Sequence, residues 1–532
     1  MSQPEPRLRR SITDLQADYE RGDKTGLETL MRAWRGIKAL PPEDQRSFFM
    51  LGGFHGEPFR GQGTYDSAAW WGGYCQHGTV LFPTWHRAYL YRLEKALQSI
   101  EGCSSVTLPF WDECSSLSQE NGIPWALTAE TFELDGEQIA NPLRSFVLPR
   151  AIVDRVAQDN LADPDPNAPN YSKPAGYETV RYPLSGLVGT PAAQTATTQH
   201  NAGFPNYAAN VKTLDANIMA WLTLPVVSGG VTRGLIVDKF ARSMDAPTFT
   251  LFSNTTSART WNADHPDDLV VPLESAHNFI HLAVGGFDIP NYDASPIVGA
   301  NGDMGENDTA ALDPIFYFHH CFIDYAFWTW QRRHDATRSL TIDQDDPGAS
   351  YAQNQAPAGA NPGDMLTMAR ALIPFTHEDG SAMTSDDCVD IEQLGYAYGP
   401  GSLDVYAEKG AGWSSDAVDL PQAVHVAGID RSKVAGSFVV AAYRNVDGVQ
   451  QLLGAEAVLS RWTVSGCANC QTHLRVSADL PAPGELDQGD LTVLVHTRQG
   501  TASHDGPVAT ASSGQLFTAA QADLRFGVSL RS

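Results

Sequence analysis

Six histidines stand out by their neighbours rather than by their number. His55 sits in GGFHGEPF, His77 in YCQHGTV and His86 in FPTWHRAYL. Three imidazoles spread over residues 55–86, each set in glycine- and aromatic-rich sequence, are a candidate three-coordinate metal site. A second group lies in ESAHNFIHLAVGG, where His277 and His281 have the i, i+4 spacing that puts both rings on one helix face. A third histidine follows in DPIFYFHHCFID. There His319 and His320 are consecutive and point about 100° apart on a helix, so at most one of them joins the same metal.

Neither group has an obvious carboxylate at a matching spacing, which disfavours the carboxylate-bridged Mg, Mn, Zn or iron sites. Six neutral imidazoles are borderline-soft donors that suit copper in both of its oxidation states. Two such ions facing each other would bind dioxygen and reduce it by two electrons, leading either to oxygen transport or to oxidation of a substrate. The other histidines are mostly scattered singly, for example His200, His265, His377, His425, His473, His496 and His504. These read as surface or hydrogen-bonded core residues.

The elements that must position these groups are legible in the periodicity. Residues 12–38, 84–100, 272–284 and 314–334 carry helical patterns, the second following Pro83. Residues 115–270 are rich in Pro, Gly and Asn and predict long ordered loops with short helices. The texture changes near residue 400. GSFVVAAYR, QLLGAEAVLS, HLRVSADL, LTVLVHTR and LRFGVSL are strand-like runs separated by turn residues, the spacing of a small antiparallel β-sandwich. The expected organisation is therefore a mainly α catalytic domain over 1–400, a linker over 401–424 and an all-β domain over 425–532.

Composition bounds the partners. The 532 residues are 42% apolar and 18% charged, with a formal net charge of −26. A surface that acidic repels phosphate backbones and anionic lipid, so nucleic acid and membrane surfaces are excluded as expected partners. No window of 18 apolar residues occurs. The N-terminal stretch is polar throughout, and Arg9-Arg10 is not followed by an apolar run, so the expected location is cytoplasmic. Seven cysteines are too few and too uneven for a disulfide scaffold. The oligomeric state stays open, a homo-oligomer included.

Taken together, FHG, CQHG…PTWHRAYL, HNFIH and DPIFYFHHCFID resemble the copper-binding regions of the type 3 dinuclear copper family, specifically fungal-like tyrosinases and polyphenol oxidases. The likeness covers most of residues 9–400. It implies a central four-helix bundle with long loops that holds two copper ions. His55, His77 and His86 would hold the first ion, and His277, His281 and His320 the second, with His319 packing beside them. Small phenols and O2 would be the substrates. The implied activity is ortho-hydroxylation of monophenols and oxidation of o-diphenols to o-quinones, the melanin type of chemistry. The alternatives are a catechol or o-aminophenol oxidase and, more remotely, a hemocyanin-like oxygen carrier.

The same resemblance assigns further roles. Cys75, two residues before His77, would form a thioether bond to its ring. Glu274 and Asn278 would orient a water that takes the phenolic proton, since a free phenol of pKa about 10 binds copper only as phenolate. Phe316 would pack over the second copper, and Asp324 would hydrogen-bond an imidazole or an arginine. Tyr396-Ala397-Tyr398 would close the helical domain, paired with Arg9 or Arg10. Cys467 and Cys470 would receive copper and pass it inward, since soft thiolates select Cu(I). The β domain would act as a lid whose Trp462 or Phe517 fills the substrate pocket.

Overall fold

The computed structural model describes residues 6–56, 73–153, 172–186, 191–228, 231–287, 301–351, 360–408, 422–461, 464, 474–482, 486, 488–497, 500–503, 506–507 and 524–531. Cys467, Cys470, Trp462 and Phe517 lie outside the described residues.

The helical pattern over 12–38 forms two helices, α1 (Ile12–Glu20) and α2 (Thr25–Ala39). The break falls at Gly22, whose φ of 101° ends the first helix in a conformation that favours glycine. Helix α3 (Phe48–Gly53) is started by Ser47, whose hydroxyl accepts from the Met50 N–H. Helix α4 (Phe82–Gln98) carries Pro83 in its first turn, where the missing N–H costs nothing. The stretch expected to be loops and short helices contains α5 (Tyr207–Thr223), a 17-residue helix capped by the Asn206 side chain. Its sequence, YAANVKTLDANIMAWLT, has neither Pro nor Gly. Helices α6 (Leu235–Ser243) and α7 (Thr255–Asp264) follow.

Helix α8 (Leu273–Gly285) is buried at every position and ends on Gly286 in the left-handed region. Helix α9 (Ile315–Arg333) is the longest described, at 19 residues. In the middle of the molecule α2 packs on α4, α4 on α9, and α9 on α8. These four elements form the bundle around which the histidines gather.

Strand β1 (Arg7–Arg9) pairs in parallel with β2 (Tyr396–Tyr398), tying the two ends of the helical region together. Arg9 is the arginine that meets the tyrosines; Arg10 instead pairs with Asp18 at 2.7 Å. Residues 402–406, inside the expected linker, form a short 3-10 turn whose Ser402 N–H bonds Asp112.

The C-terminal strands are β3 (Gln422–Asp430), β4 (Phe438–Val446), β5 (Val449–Val458), β6 (Arg475–Ala482), β7 (Leu491–Thr497), β8 (Gly500–Ser503), β9 (Gly506–Pro507) and β10 (Gly527–Arg531). They make two antiparallel sheets, ordered β6-β3-β10 and β5-β4-β7-β8-β9. The first strand thus starts at Gln422. Strand β4 is apolar on both faces, as its FVVAAY run implies. Phe438, Val440 and Ala442 face the sandwich core with Val424, Val476 and Val493. Val439, Ala441 and Tyr443 instead join the core of the helical region. The sandwich is therefore fused to the helices through an apolar seam.

Candidate metal centre

The three histidines of the first group come from three kinds of local structure. His55 follows the end of α3, His77 lies in the loop before α4, and His86 sits one turn into α4. Their ring centroids are 5.1 Å (His55–His77), 5.3 Å (His77–His86) and 5.6 Å (His55–His86) apart. Outward-facing nitrogens are held by main-chain carbonyls. His55 Nδ1–H donates to the Asn307 carbonyl at 3.2 Å, and His86 Nδ1–H to the Phe82 carbonyl at 2.8 Å. Such a bond fixes the tautomer and leaves a lone pair on Nε2. The Nε2 atoms of His55, His77 and His86 are buried and have no hydrogen-bond partner among the described residues.

The second group stands on two buried helices. His277 and His281 lie on α8, and His319 and His320 on α9. His320 Nε2 is 3.2 Å from His277 Nε2 and 3.3 Å from His281 Nε2. His281 Nδ1–H donates to the Met304 carbonyl at 2.9 Å, and His277 Nδ1–H to the Asn278 side-chain oxygen at 3.0 Å. So His277 and His281 each present an Nε2 lone pair to the His320 ring.

His319 Nδ1 is instead 2.6 Å from buried Glu113, although a ring nitrogen of His319 also lies within 4.8 Å of the other three. The two groups face each other. The His86 and His320 rings stack at 4.5 Å, and His77 and His277 are 5.2 Å apart.

Charging these rings with extra protons is disfavoured. Burial lowers all six imidazoles, and neighbouring histidines add repulsion at every one but His281; His86 falls to about 3 and His281 to about 4. Neutral acceptor nitrogens converging in a buried space need a cation, and the donor set fits metal ions that bind imidazole. Cys75 joins the first group: its sulfur lies within 4.8 Å of ring nitrogens of His55 and His77.

Glu274 is placed differently from a free carboxylate beside the metal. One oxygen accepts from the Gly78 N–H at 2.8 Å, and the other from the Thr255 N–H and hydroxyl at 2.8 and 3.0 Å. It thereby clamps the loop that carries His77 to α8. Burial raises its pKa, and the bonds from Thr255 and Gly78 offset only part of that rise. Asn278 uses its oxygen on His277 and donates its amide N–H to the Ala457 carbonyl of β5 at 3.2 Å.

Phe316 stacks on His320 at 4.0 Å. Among the described residues Asp324 meets no imidazole. It accepts from Arg87 at 2.5 Å, Arg9 at 3.2 Å, Tyr396 at 2.7 Å and Tyr398 at 2.5 Å. Burial alone would raise its carboxyl; the two guanidiniums and two hydroxyls bring it below the ordinary range.

Several supporting residues carry no local sequence signal. Glu113, Asn307, Lys239 and Glu456 reach the site over sequence separations that no spacing rule covers. Glu456 of β5 accepts from Lys239 at 2.9 Å and from the Ser275 hydroxyl at 2.8 Å, latching the sandwich to the start of α8. Ser437 donates to the Gly305 carbonyl at 2.9 Å, and Arg461 pairs with Asp308.

Two facing imidazole clusters on a buried helical bundle define a candidate dinuclear metal protein. The family model described as the common central domain of tyrosinase matches residues 45–333. A tyrosinase of Hahella sp. is 50% identical over 499 residues, covering 89% of this chain and 88% of that protein. A tyrosinase of Aspergillus oryzae is 41% identical over 532 residues, covering 92% and 93%. A solved tyrosinase of Burkholderia thailandensis, at low pH, superposes with a TM-score of 0.81 at 43% identity, covering 99% of this chain and 100% of that one. The chain belongs to the tyrosinase family and is an oxidoreductase of that family.

Proposed function

We propose that His55, His77 and His86 hold one copper ion and that His277, His281 and His320 hold a second. The observation that carries this is the set of buried Nε2 lone pairs, unpartnered or facing one another, that converge from both clusters. Copper bound there supplies the binding and two-electron reduction of O2. The substrates are small phenols, hydroxylated ortho to the hydroxyl group, and o-diphenols, oxidised to o-quinones.

The chain's own residues prepare that chemistry. Main-chain carbonyls and Asn278 hold four of the rings by Nδ1 and present Nε2 inward. Glu274 fixes the His77 loop, and its raised pKa makes it a stronger proton acceptor than an exposed carboxylate. With Asn278 it stands beside His277, where a phenol must lose its proton to bind. Phe316 covers His320 and keeps that side dry. The geometry of Cys75 and His77 supports a thioether bond between them. Cys467 and Cys470 are proposed as the pair that receives incoming copper.

The β-sandwich is the lid. Its support is the pair of contacts on α8, Ala457 on Asn278 and Glu456 on Ser275. Deleting the sandwich would expose the apolar seam lined by Val439, Ala441 and Tyr443, so full-length variants are the better probe.

The test is the rate of O2 uptake with a monophenol and with its catechol, on the copper-loaded chain and on a full-length seam variant. Turnover of both substrates supports the proposal. Turnover of the catechol alone would make the protein a catechol oxidase. Reversible O2 binding without turnover by either form would make it a carrier.

A further inference from the structure

We propose that Asn307 is the positioning residue for the Cys75–His77 bond. This rests on the reading above that copper is bound and that the thioether forms.

Three segments lie against one another beside the first histidine cluster: residues 54–56, 73–75 and 306–308. The Tyr74 N–H donates to the Phe54 carbonyl at 2.9 Å. Backbone approach is closest at two glycines. A Cβ on Gly73, whose φ is 70°, would stand 1.9 Å from the His55 carbonyl oxygen. One on Gly56 would stand 2.0 Å from that of Asp308. Neither position has room for a side chain, so the first segment is held hard against the other two.

Asn307 sits at that junction, 6% exposed. Its carbonyl accepts from His55 Nδ1–H at 3.2 Å, and its N–H donates to the Ser460 carbonyl at 3.4 Å. Its side-chain amide N–H donates to the Cys75 sulfur at 3.8 Å. Cys75 is 1% exposed, and its sulfur lies within 4.8 Å of a His77 ring nitrogen. A cysteine has one side-chain torsion that decides where its sulfur points. By donating to the sulfur, the Asn307 amide selects the rotamer that faces the imidazoles.

In the bond-forming step the S–H bond of Cys75 and one C–H bond of the His77 ring break, and a C–S bond forms. Two electrons and two protons pass to dioxygen, giving hydrogen peroxide. Because Asn307 also bonds Ser460, the residue that orients the thiol is tied to the sandwich as well.

The experiment follows the mass of the peptide spanning Cys75 and His77 after copper loading without oxygen and then exposure to air. The wild-type peptide loses two hydrogen atoms. Asn307→Asp keeps the main-chain bonds to His55 and Ser460 but removes the donor to sulfur. Its crosslinking rate, expressed per copper-loaded chain, is expected to fall about tenfold or more. Asn307→Ala is expected to behave alike. An Asp variant that crosslinks at the wild-type rate would overturn the role of Asn307. A wild-type chain that holds two coppers in air and keeps both hydrogens would overturn the thioether reading itself.

Discussion

Asn278 donates its side-chain N–H to the carbonyl of Ala457, 3.2 Å away, while its oxygen accepts from His277. One amide therefore joins a candidate copper ligand to β5, the edge strand of the sandwich's larger sheet. The sandwich does more than shadow the site: it holds in place a residue expected to act on substrate.

The latch beside that contact is open to test. Glu456→Gln keeps the shape of the side chain but removes the charge that Lys239 and Ser275 approach. Losing a charged hydrogen bond at a mostly buried position costs about 1–3 kcal/mol. The expected outcome is a lower melting temperature together with faster phenol oxidation by the full-length chain. Unchanged oxidation at a lowered melting temperature would show that Glu456 stabilises the seam without gating the site.

Gly73→Ala places a Cβ where the His55 carbonyl already stands, at a φ that alanine rarely adopts. The first cluster should be lost selectively. Metal analysis should show copper binding reduced to about one ion per chain, and far-ultraviolet circular dichroism should show the helices retained.

Much of this site is legible in the sequence because its groups are local. The i, i+4 pair His277 and His281, the consecutive His319 and His320, and Pro83 ahead of His86 each follow from helix geometry. What the sequence hides is what the chain brings together from afar. The resemblance casts Glu274 as a water-orienting acid, with no hint of what else its oxygens hold. The structure shows it clamping Gly78 and Thr255, contacts that no spacing encodes. Gly22 hides in a helical pattern that runs on through it. The 17-residue helix α5 is masked by the Pro- and Asn-rich sequence before it. Strand β3 begins inside the expected linker because QAVHVAGID carries its alternation weakly, with small residues in place of large ones.

Asp324 neutralises two buried guanidiniums, and among the described residues Arg9 keeps Glu94 as its other counter-charge. Asp324→Asn should cost about 3–5 kcal/mol, as expected when one partner of a buried ion pair is removed. Tyr396→Phe removes one neutral donor to the same carboxylate and should cost about 1 kcal/mol. Denaturant midpoints of the two variants check the ranking.

The metal-free chain should be acid-labile. The ordinary histidine value is 6.5, while folded His86 sits at about 3 and His281 at about 4. As pH falls below 6.5 the unfolded chain takes up protons that the folded chain refuses, so stability falls with pH. Each such imidazole removes about 1.4 kcal/mol per pH unit until its own folded value is reached. Melting of the metal-free protein between pH 7 and pH 4 should show this decline. Copper should shift the curve upward at pH 7 and lose its effect as protons displace it.

The most direct test of the central claim is the copper-to-chain ratio of the purified, loaded protein, measured alongside two neighbouring variants. The expected ratios are two coppers for wild type, two for His319→Ala and about one for His320→Ala. A wild-type ratio of one or none, or a His320→Ala chain that still holds two, would contradict it.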